Sequence, residues 1–133
     1  ESEVMIMCDK ICVKVAAVTW GNGESARNGW GSILTCDKGK REYGGNDKGK
    51  TKNHMVLVGI LNSLKAISNK TIPVEVYTDI EYIADIANGK KTASADTEIW
   101  NEIFSEKEKF ADVQFFYERR AIARAEKEAR NVR

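Results

Sequence analysis

Over residues 51–68 the apolar side chains return every three or four positions: Met55, Val58, Leu61 and Ile67 along one line, Leu57, Ile60 and Leu64 one step round. That spacing predicts a helix with a broad apolar face, most of it core. The segments around it are of another kind. "ICVKVAAVTW", "GWGSILTC" and "VEVYT" are rich in β-branched residues and read as strands. A strand joined to the next through a long helix favours a right-handed crossover and parallel pairing. The helix therefore argues against an all-β fold, and its flanks argue against a helical bundle.

The other boundaries follow from turn chemistry. The first strand, residues 11–20, ends at Gly21-Asn22-Gly23. After "ESARN" the second strand begins, Asp37 to Lys40 make a hairpin turn, and "REYGGN" reads as a short third strand. Pro73 opens the fourth strand, and a short helix from about residue 80 stops at Asn88-Gly89. The linker "KKTASAD" leads to a helix carrying Ile99, Trp100, Ile103 and Phe104, and the fifth strand is "VQFFY". A last helix over residues 121–130 has few apolar residues and is expected to be solvated or loosely docked. The predicted fold is α/β: a mixed five-stranded sheet, three antiparallel strands and then parallel ones, with helices on both faces. One domain is expected over residues 1–133, with its core at about 11–130.

Composition agrees with one domain and sets limits on function. A chain of 133 residues, 42% apolar and 31% charged, is large enough for a single core. Its apolar runs fall short of the roughly 20 residues that cross a bilayer, and no charged-then-apolar signal segment opens it. A soluble, cytoplasmic protein with no membrane contact is expected. Twenty-one basic and twenty acidic side chains leave a net charge of +1, so any nucleic-acid argument must rest on local patches. Cys8, Cys12 and Cys36 have no zinc-site spacing and read as reduced, mostly buried thiols.

Three local features bear on function. Asp79 stands where the fourth strand meets a helix, where a carboxylate caps free N–H groups for about 0.5–2 kcal/mol. In "DKGKREYGGNDKGKTKNH", Lys38, Lys40, Arg41, Lys48, Lys50, Lys52 and His54 crowd a hairpin and the start of the long helix. This is either a phosphate-binding patch or a solvated hairpin. "ERRAIAR" is a second basic cluster, more in keeping with a solvated helix face. Trp30 and Trp100 are expected in the core, whereas Trp20, closing the first strand, is a candidate contact surface.

In order and spacing, "NGWGSIL", "TKNHMVLVGILNSLKAI", "VYTDIEYIADIANG", "EIW" and "RAEKEAR" resemble a ribonuclease H domain over residues 11–130. The resemblance implies the fold above and an activity, cleavage of the RNA strand of RNA–DNA hybrids by four carboxylates that hold two Mg²⁺ ions. Hard oxygen donors must cluster for that chemistry. The resemblance also assigns the four places. The first falls where no Asp or Glu occurs between Lys10 and Glu24, and is filled by Val18 or Thr19. The second, in "NHMVL", is Val56; the third is Asp79; the fourth is Glu126. It further implies that Asn22 and Asn53 face the nucleic-acid backbone, beside Lys48, Lys50 and Lys52 of the basic run, which are the candidate phosphate contacts. The family's loop histidine has no counterpart, since His54 lies in the long helix, and the basic insertion of some members is absent.

The expected protein is thus a ribonuclease H-like pseudoenzyme, catalytically impaired or inactive, that binds or scaffolds nucleic acid. Asp79 and Glu126 remain as residual catalytic positions, Asp79 is at most a weak metal ligand, and no cofactor is required. One alternative is a divergent Mg²⁺-dependent nuclease acting on RNA–DNA hybrids, with Glu24, Glu81 or Asp85 completing a site around Asp79. The other is a protein-interaction subunit whose partner is a protein and which makes no nucleic-acid contact.

Overall fold

The computed structural model describes residues 8–21, 23–119 and 122. Its elements in chain order are β1 (Ile11–Trp20), β2 (Arg27–Cys36), β3 (Gly39–Lys48), α1 (Lys52–Ala66), β4 (Val74–Thr78), α2 (Glu81–Ala87), α3 (Thr97–Glu108) and β5 (Val113–Tyr117). The five strands form one sheet in the order β3-β2-β1-β4-β5. β1, β2 and β3 are antiparallel neighbours, while β4 pairs in parallel with both β1 and β5. The crossover predicted from the long helix is therefore present. β3 is longer than its propensity predicts, because β2 offers it a ladder along its whole length, from Cys36↔Gly39 to Arg27↔Lys48. It is an edge strand with no buried residue, so no apolar alternation marked it in the sequence.

α1 begins where Thr51 Oγ1 accepts the His54 backbone N–H at 3.0 Å, a side-chain cap of the usual kind. Its apolar face rests on β1 and β2 at very close range. A Cβ on Gly59 would lie 2.6 Å from Val15 Cγ1, and one on Gly45 would lie 2.5 Å from Trp30 Nε1. Glycine at both places lets helix, indole and sheet meet. Trp30 and Trp100 are buried, as expected. Ile11, Val13 and Val15 of β1 and Val74 and Val76 of β4 join Met55, Leu57, Ile60 and Leu64 of α1 in a single core, to which α2 and α3 add Ile83 and Ile103. Burying each such side chain is worth about 1.5–3 kcal/mol.

Ala16 alternates out of that core and packs on Ile122 in a small second cluster. Ile122 belongs to the segment expected to form the last helix; the rest of residues 121–130 lies outside the described residues, and so do Asn22, Glu126, Arg120 and Arg124. Among the described residues, no helix is long and apolar enough to cross a membrane.

The cysteines depart from expectation. Cys8 and Cys36, 28 residues apart in sequence with Cα atoms 6.0 Å apart, form a disulfide, and only Cys12 is free. The cause is tertiary: antiparallel pairing of β1 with β2 carries the end of β2 back beside the residues that precede β1, a closeness that spacing along the chain does not reveal.

Candidate nucleic-acid interface

The last residues of β1, β3 and β4, the first of β2 and the first turn of α1 all lie at one end of the sheet. Asp79 follows β4 there. It is not a helix cap, which corrects the sequence expectation. The residue at the N-terminal boundary of α2 is Ile80, which makes no side-chain cap bond, and the Ile80 N–H donates to Thr78 Oγ1 at 3.2 Å. That bond serves the boundary residue's own N–H and leaves the first turn of α2 without a side-chain cap. Asp79 instead places Oδ2 3.6 Å from Lys52 Nζ, with its side chain 14% exposed. Its Oδ1 is buried with no hydrogen-bond partner among the described residues. A buried polar atom in that condition costs roughly 1–3 kcal/mol.

The residues around Asp79 supply few further oxygens. Val15 pairs with Thr78, so the next residue of β1, Ala16, lies level with Asp79. The expected occupant was Val18 or Thr19; parallel hydrogen bonding, rather than the count of residues to the next motif, sets the level. On α1, Val56 is fully buried, and Lys52 precedes it by one helical turn on the same face. Asp85 is engaged by Lys91 at 3.5 Å, while Glu24 and Glu81 are exposed. Among the described residues, the single set of three or more His, Cys, Asp or Glu ligand atoms lying within 4.8 Å of one another is Cys8, Cys36 and Asp37, and Asp79 is not in it. Two Mg²⁺ ions require several clustered carboxylates, and the described donors around Asp79 do not fit them. His54 is held elsewhere, its Nδ1 2.9 Å from Asp96 Oδ1.

The basic run divides into two groups. Lys38 pairs with Asp37 at 3.8 Å, Lys40 with Glu42 at 3.7 Å, and Arg41 Nη1 donates to the Lys40 carbonyl at 3.3 Å. Lys52 is taken by Asp79. Lys48 and Lys50 are exposed, and among the described residues neither ammonium makes an ion pair. Asn53 is exposed in the first turn of α1. Trp20 ends β1 half-buried, in register with Arg27.

What holds this rim was missed in the sequence. Asn28, 1% exposed, donates from Nδ2 to Thr19 Oγ1 at 2.8 Å and to the Lys50 carbonyl at 2.9 Å, and accepts the Lys50 N–H on Oδ1 at 2.9 Å. One amide thus ties the end of β1 to the β3–α1 turn. Gly49 completes the turn at φ 68°, and its N–H donates to the Ala26 carbonyl at 2.9 Å. The available signal was an asparagine inside a strand, a setting that disfavours it unless its side chain is bonded.

No family model matches the chain. A ribonuclease H of Ehrlichia canis is 31% identical to it over 117 residues, covering 78% of this chain and 73% of that protein. The chain belongs to the ribonuclease H family. A ribonuclease H of Chromobacterium violaceum is 26% identical over 128 residues, 86% of this chain and 80% of that one. Among solved structures, an RNase H1 isolated from compost by a metagenomic approach superposes with a TM-score of 0.81 at 21% identity, over 93% of this chain and 95% of that one. A crystal structure of an RNase H1 in complex with an RNA/DNA hybrid gives a TM-score of 0.77 at 20% identity, over 91% and 94%. These structures share the fold described above. Within the ribonuclease H fold, this chain sets an alanine level with Asp79 and a lysine beside it.

Proposed function

We propose that this ribonuclease H domain binds RNA–DNA hybrid along the rim that carries Lys48, Lys50 and Asn53, and does not hydrolyse it by the two-metal route. One observation carries the reading: Asp79 is paired with the Lys52 ammonium, with Ala16 and Val56 in place of further acids. The relatives named ribonuclease H, and the neighbour bound to a hybrid, support the substrate class.

Each residue has a physical task in this reading. Lys48 and Lys50 lie on an exposed turn and neutralise phosphates, releasing condensed counterions. Asn28 keeps that turn against the end of β1, so the two ammonium groups are presented from a braced backbone. Asn53 offers a side-chain amide at the N-terminus of α1, where the free N–H groups and the positive end of the helix dipole attract phosphate. Lys52 answers the Asp79 charge, which removes the local field that would otherwise draw in a cation. The nuclease alternative draws on a different observation, the bare Oδ1 of Asp79.

The deciding experiment titrates Mg²⁺ into protein and labelled RNA–DNA hybrid, following cleavage and gel shift together. The expected result is a shift with no cleavage above the buffer control. Affinity should be micromolar or weaker, with a slope of log affinity against log salt of roughly −2 to −3 for about three phosphate contacts. Cleavage abolished by Asp79→Asn would establish the nuclease instead. If neither shift nor cleavage occurs at low salt, the protein-interaction reading takes its place.

A further inference from the structure

At the other end of the β1–β2 ladder, away from Asp79, the side chains have a different chemistry. Cys8 is buried, Cys36 half-buried and Asp37 exposed, and one ligand atom from each falls within 4.8 Å of the others. A cavity of about 390 Å³ opens beside them, lined by Asp9, Lys10, Cys12, Thr35, Cys36 and Asp37. The Lys38 backbone N–H donates to Cys36 Sγ at 3.2 Å, which holds that sulfur against the start of the β2–β3 turn. We propose that, once the Cys8–Cys36 disulfide is reduced, Cys8, Cys36 and Asp37 bind a zinc ion, which takes over from the disulfide as the link between the N-terminal segment and the end of β2.

The donor types select the metal. Two thiolates and one carboxylate suit a borderline-soft ion such as Zn²⁺ and are poor ligands for Mg²⁺. Thiolates about 2.3 Å from a tetrahedral zinc lie roughly 3.8 Å apart, so the two sulfurs must separate once the bond is reduced, from Cα atoms that already stand 6.0 Å apart. Three protein ligands leave the fourth position to water from the adjoining cavity. Cys12 lines that cavity but is held for another partner: its Sγ lies 3.8 Å from Glu75 Oε1, and burial, then the Glu75 charge, push its thiol pKa up. It stays a neutral thiol and outside the ligand set.

The reaction balances with a dithiol as reductant. The dithiol gives two electrons and two protons to the S–S bond and leaves as its own disulfide, producing two thiols on the protein. Zn²⁺ then displaces both thiol protons to solvent. Oxidation and metal binding compete for the same two sulfurs, so the site is open only in the reduced state.

Cobalt serves as the spectroscopic probe. Fully reduced protein titrated anaerobically with Co²⁺ should show a thiolate-to-cobalt charge-transfer band with the visible bands of a tetrahedral ion, both abolished by one equivalent of Zn²⁺. Oxidised protein should show neither. Cys8→Ser and Cys36→Ser should lose the band, Asp37→Asn should weaken binding at least about tenfold, and Cys12→Ser should match the parent. Absence of the band from the reduced parent, its persistence in either Cys8→Ser or Cys36→Ser, or its loss in Cys12→Ser overturns the proposal. Circular dichroism establishes that each variant is folded. If a serine variant is not, the reduced and oxidised parent decide the matter, and equal cobalt binding by both overturns it.

Discussion

Asp79 and Glu106 are both carboxylates largely withdrawn from water, with side chains 14% and 8% exposed, and each lies beside lysine. Their surroundings differ in completeness. Glu106 on α3 has a cation at each oxygen, Lys70 at 3.5 Å from Oε1 and Lys109 at 3.1 Å from Oε2. Burial pushes its pKa up, but the Lys109 and Lys70 contacts outweigh this and hold it below the usual carboxylate value. Among the described residues, Asp79 has one ammonium at 3.6 Å and a buried oxygen with nothing bonded to it. The same chain can finish the shell of a structural acid, so the unfinished shell of Asp79 is a property of its place at the end of β4, where ligand sites form in α/β sheets.

The comparison can be broken most forcefully at Glu106. Glu106→Ala leaves two lysines without their shared partner and should cost about 2 kcal/mol in urea unfolding, less than a fully buried pair would because Lys109 is largely exposed. Acid tests the same acid without a cavity. Its pKa in the folded chain is below the ordinary 4.5, so the stabilisation is complete above that pH and is lost as the pH falls through the folded value. Glu75, also lowered, chiefly by its bond from Tyr77, contributes with the same sign. A stability–pH curve for Glu106→Gln should therefore be shallower on its acid side than that of the parent, without becoming flat.

Asp79→Asn is the sharper half of the comparison. With no capping bond to lose and an unpartnered oxygen at stake, the melting temperature should hold or rise, by up to about 1 kcal/mol in stability. A loss of that size instead would make Asp79 a structural acid like Glu106. The smallest expected change in stability comes from the rim. Lys48→Gln with Lys50→Gln should alter unfolding by less than about 0.5 kcal/mol, yet flatten the salt dependence of hybrid binding by roughly two units of slope. An unaltered slope would remove both lysines from the interface.

Much of the fold was legible because its signals are local and repeated. The helical spacing of Met55, Leu57, Ile60 and Leu64 and the β-branched runs of β1 and β4 each report burial that neighbouring residues share. The site was legible in its residue types and not in its partnerships. Lys52 read as one lysine among seven basic residues, and its ion pair with Asp79 depends on a helix start and a strand end 27 residues apart coming together. Asn28 was passed over because its three bonds go to segments distant in sequence.

By itself, then, the sequence determined the order of strands and helices, the crossover that makes β4 parallel to β1, and the shortage of acids at the positions that resemble metal ligands. These follow from propensity, periodicity and the chemical identity of single residues. Only the tertiary structure decided that Ala16 is level with Asp79, that Cys8 meets Cys36, and that Lys52 pairs with Asp79 while, among the described residues, Lys48 and Lys50 make no ion pair. Each of these is a pairing between groups far apart along the chain. Its geometry is set by strand register and by how closely α1 lies on the sheet, and neither is encoded in the pattern of any one segment.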